Sequence, residues 1–415
     1  MTGGDGGIRT HDRVTPIHTF QACAIDHSAT SPHPFREDTP LAAHYRFRKA
    51  ARFVIVRAMQ KHILLALSAL ALSSGYTSTG NSATAMGEAT KPPENASPEP
   101  VKAEFPAPSE IVAKAKAAEW VAIAPSDLMV MDLPPDAKAK PRRVVIQLMP
   151  APFSQGWVGN IRKLAAAKFW DGTSVNRVQD NYVVQWGDAT EKKALPDGLA
   201  VVPEAEYVAL GPKGNTDTLL SSFQQRFPDY AKKFPESRNA SQAEFSRSLR
   251  KSLKADPYAE AHILAEGWPI ASDMKTGRLW PVHCYGMVGV GRNLSPDTGS
   301  GAELYTVIGH APRHLDRNIA LVGRVIEGIE HLSSLPRGTG ALGFYESEAE
   351  RTPITSVRIG ADASDLPSFE YLSTESDSFA AYADARANRR DPFFNVPAGV
   401  ADICNVPVPV RRKAT

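Results

Sequence analysis

The sequence predicts a mainly β domain accompanied by a few short helices. Two observations lead there. In Arg142–Leu148, Val144, Ile146 and Leu148 alternate as the buried face of a strand. A glycine turn at Asp171-Gly172 then opens a β-branched run through Val178, and a second alternating run follows from Asn181 to Asp188. The chain has 415 residues, 42% hydrophobic and 22% charged, enough to bury a core in one main domain with accessory pieces. A formal net charge of +2, with no basic run interleaved with aromatics, argues against a nucleic-acid partner.

Residues 1–58 scatter Gly, His, Thr, Pro and Arg with neither a helical nor a strand period. Gly6-Gly7-Ile8-Arg9-Thr10-His11-Asp12 and His27-Ser28-Ala29-Thr30-Ser31-Pro32 read as translation from a start set too far upstream; the other reading is a disordered leader. From Met59, Lys61 and His62 form a short basic region, Ile63 to Leu72 an apolar core, and Ala83-Thr84-Ala85 a small-residue cleavage site. Residues 59–85 therefore read as a signal peptide, which implies a periplasmic or secreted protein. The apolar core is shorter than the roughly 20 residues of a spanning helix, so no permanent membrane anchor is expected. Residues 86–108 are rich in Pro, Glu, Ala and Lys and read as a linker.

Ser109 as N-cap, followed by helix formers, predicts a short amphipathic helix over 109–120. Trp157, Ile161, Leu164 and Ala165 follow helical spacing and predict a helix over 156–168. In the stretch from Val208 to Trp280, Ser241 and Glu244 form a capping box, and Phe245, Leu249 and Leu253 share a helical face. After the strand-like runs, Ser376 to Asn388 predicts a helix and Pro392 to Arg411 a proline-punctuated extended tail.

Four blocks carry a resemblance. The first is Phe169-Trp170-Asp171-Gly172-Thr173-Ser174-Val175-Asn176-Arg177-Val178, continued by Asn181-Tyr182-Val183-Val184-Gln185-Trp186-Gly187-Asp188. The second runs from His283 to Arg292 through Gly286, Gly289 and Gly291; the third is Gly299-Ser300-Gly301-Ala302-Glu303-Leu304-Tyr305-Thr306-Val307-Ile308-Gly309. The fourth runs from Leu315-Asp316 through Ile319 to Gly323-Arg324-Val325 and Glu327-Gly328. In this order they resemble the cyclophilin-type peptidyl-prolyl cis-trans isomerases, in a divergent, bacterial, secreted form. The resemblance implies a closed eight-stranded antiparallel barrel capped by two helices. That domain would span residues 109–360, with a helical insertion at about 208–280 and a C-terminal extension at 361–415.

The resemblance also implies the site. Arg177 would donate a hydrogen bond to the prolyl nitrogen, and Gln185 would orient it and bond the substrate backbone. Tyr182, Val183, Gly291, Glu303, Leu304, Tyr305, Leu315 and Ile319 would contact the substrate. Such chemistry needs no cofactor and no metal. The partners would be proline-containing polypeptides and the protein a monomer. This sequence departs from the usual pattern at Val175, Asn176, Trp186, Glu303 and Ile319, and the family's pocket tryptophan falls near Arg313 or His314. Glu303 would either pair with Arg177 or select basic substrates, and activity would be reduced. The alternative function is a barrel that binds proline segments as a chaperone or scaffold without useful catalysis.

Competing motifs are weaker. His310 and His314 have the i,i+4 spacing of helical metal ligands, but Pro312 lies between them. Gly286, Gly289 and Gly291 lack the spacing and the lysine of a phosphate loop. Of three cysteines, Cys284 and Cys404 fall in the mature chain; an oxidising compartment would let them pair, and two unrelated buried thiols are the other reading.

Overall fold

The computed structural model describes residues 105–211 and 256–413. The leader, the signal segment, most of the linker and the helix expected around Phe245, Leu249 and Leu253 lie outside the described residues.

A strand β1 (Trp120–Ile123) is followed by β2 (Leu128–Leu133) and β3 (Arg142–Leu148), then by β4 (Ser174–Val178) and β5 (Val183–Gly187). The insertion contributes β6 (Ala209–Leu210), β7 (Ala261–Ala265), β8 (Trp268–Asp273) and β9 (Arg278–Pro281). The later blocks form β10 (Met287–Val290), β11 (Leu304–Val307), β12 (Leu321–Glu327), β13 (Thr352–Pro353) and β14 (Ser356–Ile359). The C-terminal extension adds β15 (Phe369–Leu372) and β16 (Val410–Arg412).

The central element is a curled, antiparallel nine-stranded sheet in the order β13-β4-β5-β11-β10-β12-β3-β2-β14. Its two edge strands are consecutive in the chain. Ile354 N–H donates to the Thr173 carbonyl (2.8 Å), while Thr355 N–H donates to the Asp132 carbonyl (2.8 Å). The segment 352–359 therefore bonds β4 at one end and β2 at the other. Against the expected closed barrel of eight strands, the structure has nine ladder strands in a curled sheet. The count rises because this last segment changes partner halfway and is split into β13 and β14.

One helix, Gln155–Ala166, buries Trp157, Ile161 and Leu164 against this sheet. Its indole does more than fill space. Trp157 Nε1 donates to the carbonyls of Thr298 (3.1 Å) and Gly299 (3.0 Å), and Trp170 Nε1 donates to that of Ala302 (2.8 Å). Buried indoles usually find acceptors, and here the acceptors are carbonyls of the loop that leads into β11. The helix expected over 109–120 is shorter, Pro108–Ala113, with Ala107 rather than Ser109 in the cap position. Pro108 explains the earlier start: its fixed φ and missing N–H suit the first helical turn.

The described ends of the insertion form strands rather than helix. Strands β6-β9-β8-β7 make a separate four-stranded sheet. Its β7–β8 hairpin turns through Glu266 and Gly267, both at positive φ (50° and 81°). Such two-residue turns match the twist of the strands they join. Arg324 of β12 ties this sheet to the central one: it donates to the Gly267 carbonyl (2.5 Å) and to Gln147 Oε1, and lies 4.5 Å from the centroid of the Trp268 ring.

The extension packs back as a three-stranded sheet, β1-β15-β16, beside the helix Asp377–Ala387. Ser376 caps that helix by accepting from Phe379 N–H (3.1 Å). Cys404, in the turn Ile403–Asn405, is joined to Cys284 by a disulfide across 120 residues of sequence. Opening a loop of this size frees the unfolded chain. Replacing both cysteines by serine is expected to lower the unfolding free energy by about 2–4 kcal/mol, read by urea denaturation of the oxidised wild type and the double variant side by side.

Candidate active site

Strand register assembles one row of side chains across four strands. Arg177 of β4 stands opposite Gln185 of β5, Gln185 opposite Tyr305 of β11, and Tyr305 opposite Gly289 of β10. Residues directly opposite in antiparallel strands share a face. The row therefore lies on one side of the sheet. Gly289 makes room at its end, since a Cβ there would collide with the Tyr305 ring and hydroxyl.

A bulge puts Arg177 in this row. Val175 pairs with Trp186 and Arg177 with Gln185, so Asn176 is the additional residue on β4. Bulges re-aim the side chain that follows. Val175 and Trp186 are fully buried in the main core, while Arg177 joins the other face. Asn176 pins the bulge: its Nδ2 donates to the Gly187 carbonyl (3.1 Å), and Ser174 Oγ donates to its Oδ1 (2.6 Å).

Arg177 is fully buried. Its Nε donates to the Leu342 carbonyl (2.8 Å), Nη1 to Gln185 Oε1 (3.3 Å), and Nη2 to Gln179 Oε1. The guanidinium lies 5.2 Å from the centroid of the Phe344 ring and 5.7 Å from that of Tyr182. Leu342, Phe344 and Gln179 escaped the sequence reading. They belong to an irregular turn and a neighbouring residue with no motif of their own.

Beside the arginine is an apolar cluster distinct from the main core: Tyr182, Val183, Tyr305, Val307, Leu315 and Ile319. Val183 pairs with Val307 two residues along from the Gln185–Tyr305 pair, so all four share the site face. Leu304 is a correction. It stands opposite Trp186 and is buried in the main core, because the pleat turns alternate residues of β11 to opposite faces. Val307 takes a place in the cluster that the sequence reading left empty. Arg313 is buried, whereas exposed His314 stacks on Tyr182 with ring centroids 6.3 Å apart.

At the other end of the site, Glu303 lies against Gly187 and Gly291. A Cβ at Gly187 would collide with the Glu303 carboxyl, and one at Gly291 would come within 2.9 Å of Glu303 Cβ. Gly291 N–H donates to the Glu303 carbonyl (2.8 Å). The carboxyl is raised well above its ordinary value by burial, with the Asp188 charge adding, although bonds from the Asp188 backbone and the Gln185 side chain work against the shift. Its Oε2 is buried without a hydrogen-bond partner among the described residues. Arg177, Gln185 and Glu303 are thus linked through the Gln185 amide. Among the described residues, no group of three or more His, Cys, Asp or Glu is placed to hold a metal, and no helix is long and apolar enough to cross a membrane.

The family model described as cyclophilin type peptidyl-prolyl cis-trans isomerase/CLD matches residues 140–359. Among solved structures, the cyclophilin AquaCyp293 from Hirschia baltica is similar over 74% of this chain and 98% of its own, at 20% identity and TM-score 0.48. A cyclophilin type peptidyl-prolyl cis-trans isomerase of Cryptosporidium parvum, crystallised in the presence of the dipeptide Ala-Pro, is similar over 56% of this chain and 97% of its own, at 9% identity and TM-score 0.29. No curated protein matches the chain.

Glu303 gives the site a pH signature. Its folded-state carboxyl titrates above the unfolded one, so stability falls as pH rises beyond about 4.5 and the carboxyl is forced to ionise in place. Glu303→Gln is expected to be more stable than wild type at pH 8, by about 1–3 kcal/mol, the cost of an unsatisfied buried polar group. The two should converge near pH 4. Urea unfolding at both pH values reads the difference, and a variant that is less stable at pH 8 would count against a buried acid there.

Proposed function

The chain belongs to the cyclophilin type peptidyl-prolyl cis-trans isomerase family, and from that premise we propose that it isomerises X–Pro bonds of periplasmic or secreted proteins with Arg177 as the donor. The observation that carries this reading is the register that sets Arg177 and Gln185 beside a discrete apolar cluster.

Rotation about an X–Pro bond faces a barrier of about 18–20 kcal/mol, because resonance gives the C–N bond partial double character. Twisting the bond breaks that resonance and leaves a lone pair on a pyramidal prolyl nitrogen. A hydrogen bond to this lone pair stabilises the twisted state and does nothing for the planar one, which is what lowers a barrier. Guanidinium supplies such a bond without losing its proton, since arginine stays charged in proteins. Tyr182, Val183, Tyr305, Val307, Leu315 and Ile319 take the proline ring and exclude water, which strengthens the bond. Gln185 holds Nη1 in place through Oε1.

Access has a structural condition. The Arg177 side chain is fully covered, and the residues in contact with its guanidinium include Leu342 and Phe344. For a prolyl nitrogen to reach a donor hydrogen, part of this cover has to give way, and the turn at 340–344 is one part of it. Localisation outside the cytoplasm is supported by the basic, apolar and small-residue order of residues 59–85 and by the Cys284–Cys404 disulfide.

Arg177→Ala is expected to lower kcat/KM for a short Ala-Pro peptide by roughly 10²–10³, the range for one electrostatic donor. Equal, near-background rates in wild type and variant would favour a barrel that binds proline segments without turning them.

A further inference from the structure

A second buried network lies on the far side of the proline cluster and starts in the insertion. Asp256 Oδ2 pairs with Arg313 Nη2 (2.6 Å), and Arg313 Nε pairs with Asp316 Oδ2 (2.7 Å). Asp316 Oδ1 then accepts from the His283 backbone N–H (3.0 Å) and from its Nδ1 (2.8 Å). His283 Nε2 completes the chain at the Tyr305 hydroxyl (2.9 Å). The side chains of Asp256, Arg313, Asp316 and His283 are all at most 4% exposed.

Each end of this chain has a meaning for the pocket. Tyr305 is both a wall of the apolar cluster and the neighbour of Gln185 in the site row. Leu315, another wall, sits between Arg313 and Asp316 in one short turn, Arg313–Leu315 followed by Asp316. The Asp316–His283–Tyr305 bonds therefore join the two walls, and Asp256 anchors the turn from the insertion side. The Asp316 carboxylate makes Nδ1 the donor on that side of the ring, and Nε2 on the other side meets the Tyr305 hydroxyl at hydrogen-bond distance. Such a buried polar chain holds geometry only while every member is present, because loss of one partner leaves a charge or donor unsatisfied.

We infer that Arg313 and Asp316, braced by Asp256, are positioning residues for the proline pocket, acting through His283 on the Tyr305 hydroxyl. This rests on the isomerase reading above and assigns the insertion a task in it: its described end sets the pocket walls. Small displacements of a positioned group carry large costs in rate, which is why a network without substrate contact bears on turnover.

A double-mutant cycle on the full-length protein tests this, with Arg313→Met and Tyr305→Phe alone and together, and kcat/KM for a short Ala-Pro peptide as the readout. Each single change is expected to lower kcat/KM about tenfold, and the pair to be no worse than Arg313→Met alone. Arg313→Lys, which keeps the charge but not the fork of donors, should restore part of the loss. Independent, multiplying losses would overturn the inference, as would a Tyr305→Phe variant equal to wild type. Should Arg313→Met fail to fold, His283→Gln with Tyr305→Phe carries the same cycle. A wild type that does not isomerise fails the isomerase reading; the cycle is then read on the dissociation constant of the same peptide, where coupling supports and independence overturns the positioning role.

Discussion

The structure depends on one register constraint. Antiparallel pairing across β4, β5, β11 and β10 places Arg177, Gln185, Tyr305 and Gly289 in a single row. Because side chains alternate strictly along a strand, a slip of one residue would send each of them to the core face. The bulge at Asn176 is where that register is set, and its bonds to Gly187 and Ser174 hold it there. Seen this way, the asparagine is a feature of the scaffold. It positions the arginine from inside the sheet, where it is itself buried.

Burial works in two directions at this site. Water exclusion makes each hydrogen bond from Arg177 stronger, and the cation is held by Leu342, Gln179 and Gln185 with two aromatic rings nearby. The same burial acts against Glu303, whose carboxyl is pushed toward its neutral form by its surroundings. Two of the residues that depart from the family's pattern near the arginine, Asn176 and Glu303, thus act on it through backbone geometry and through Gln185.

Legibility in the sequence followed physical locality. Alternation exposed β3 and β5, and the spacing of Trp157, Ile161 and Leu164 exposed the helix above them. Ser376 at a helix start was equally readable, since a cap bonds within its own turn. Leu304 went to the wrong face because a motif gives residue order and not the pleat. The β7–β8 hairpin was missed because Glu266-Gly267 is not among the strong turn pairs, although both residues take the positive φ that such a turn demands. The Asp256–Arg313–Asp316–His283 chain was invisible for another reason: its members are spread over sixty residues of sequence and meet only once the insertion sheet has docked.

Exchange spectroscopy by NMR on a short Ala-Pro peptide tests the central claim most directly, because it follows binding and rotation in the same sample. A catalytic amount of the full-length protein should produce exchange cross-peaks between the cis and trans prolyl resonances on a timescale far shorter than the tens to hundreds of seconds of the free peptide. Peptide resonances that shift on binding while cis and trans continue to exchange at the free rate would contradict it.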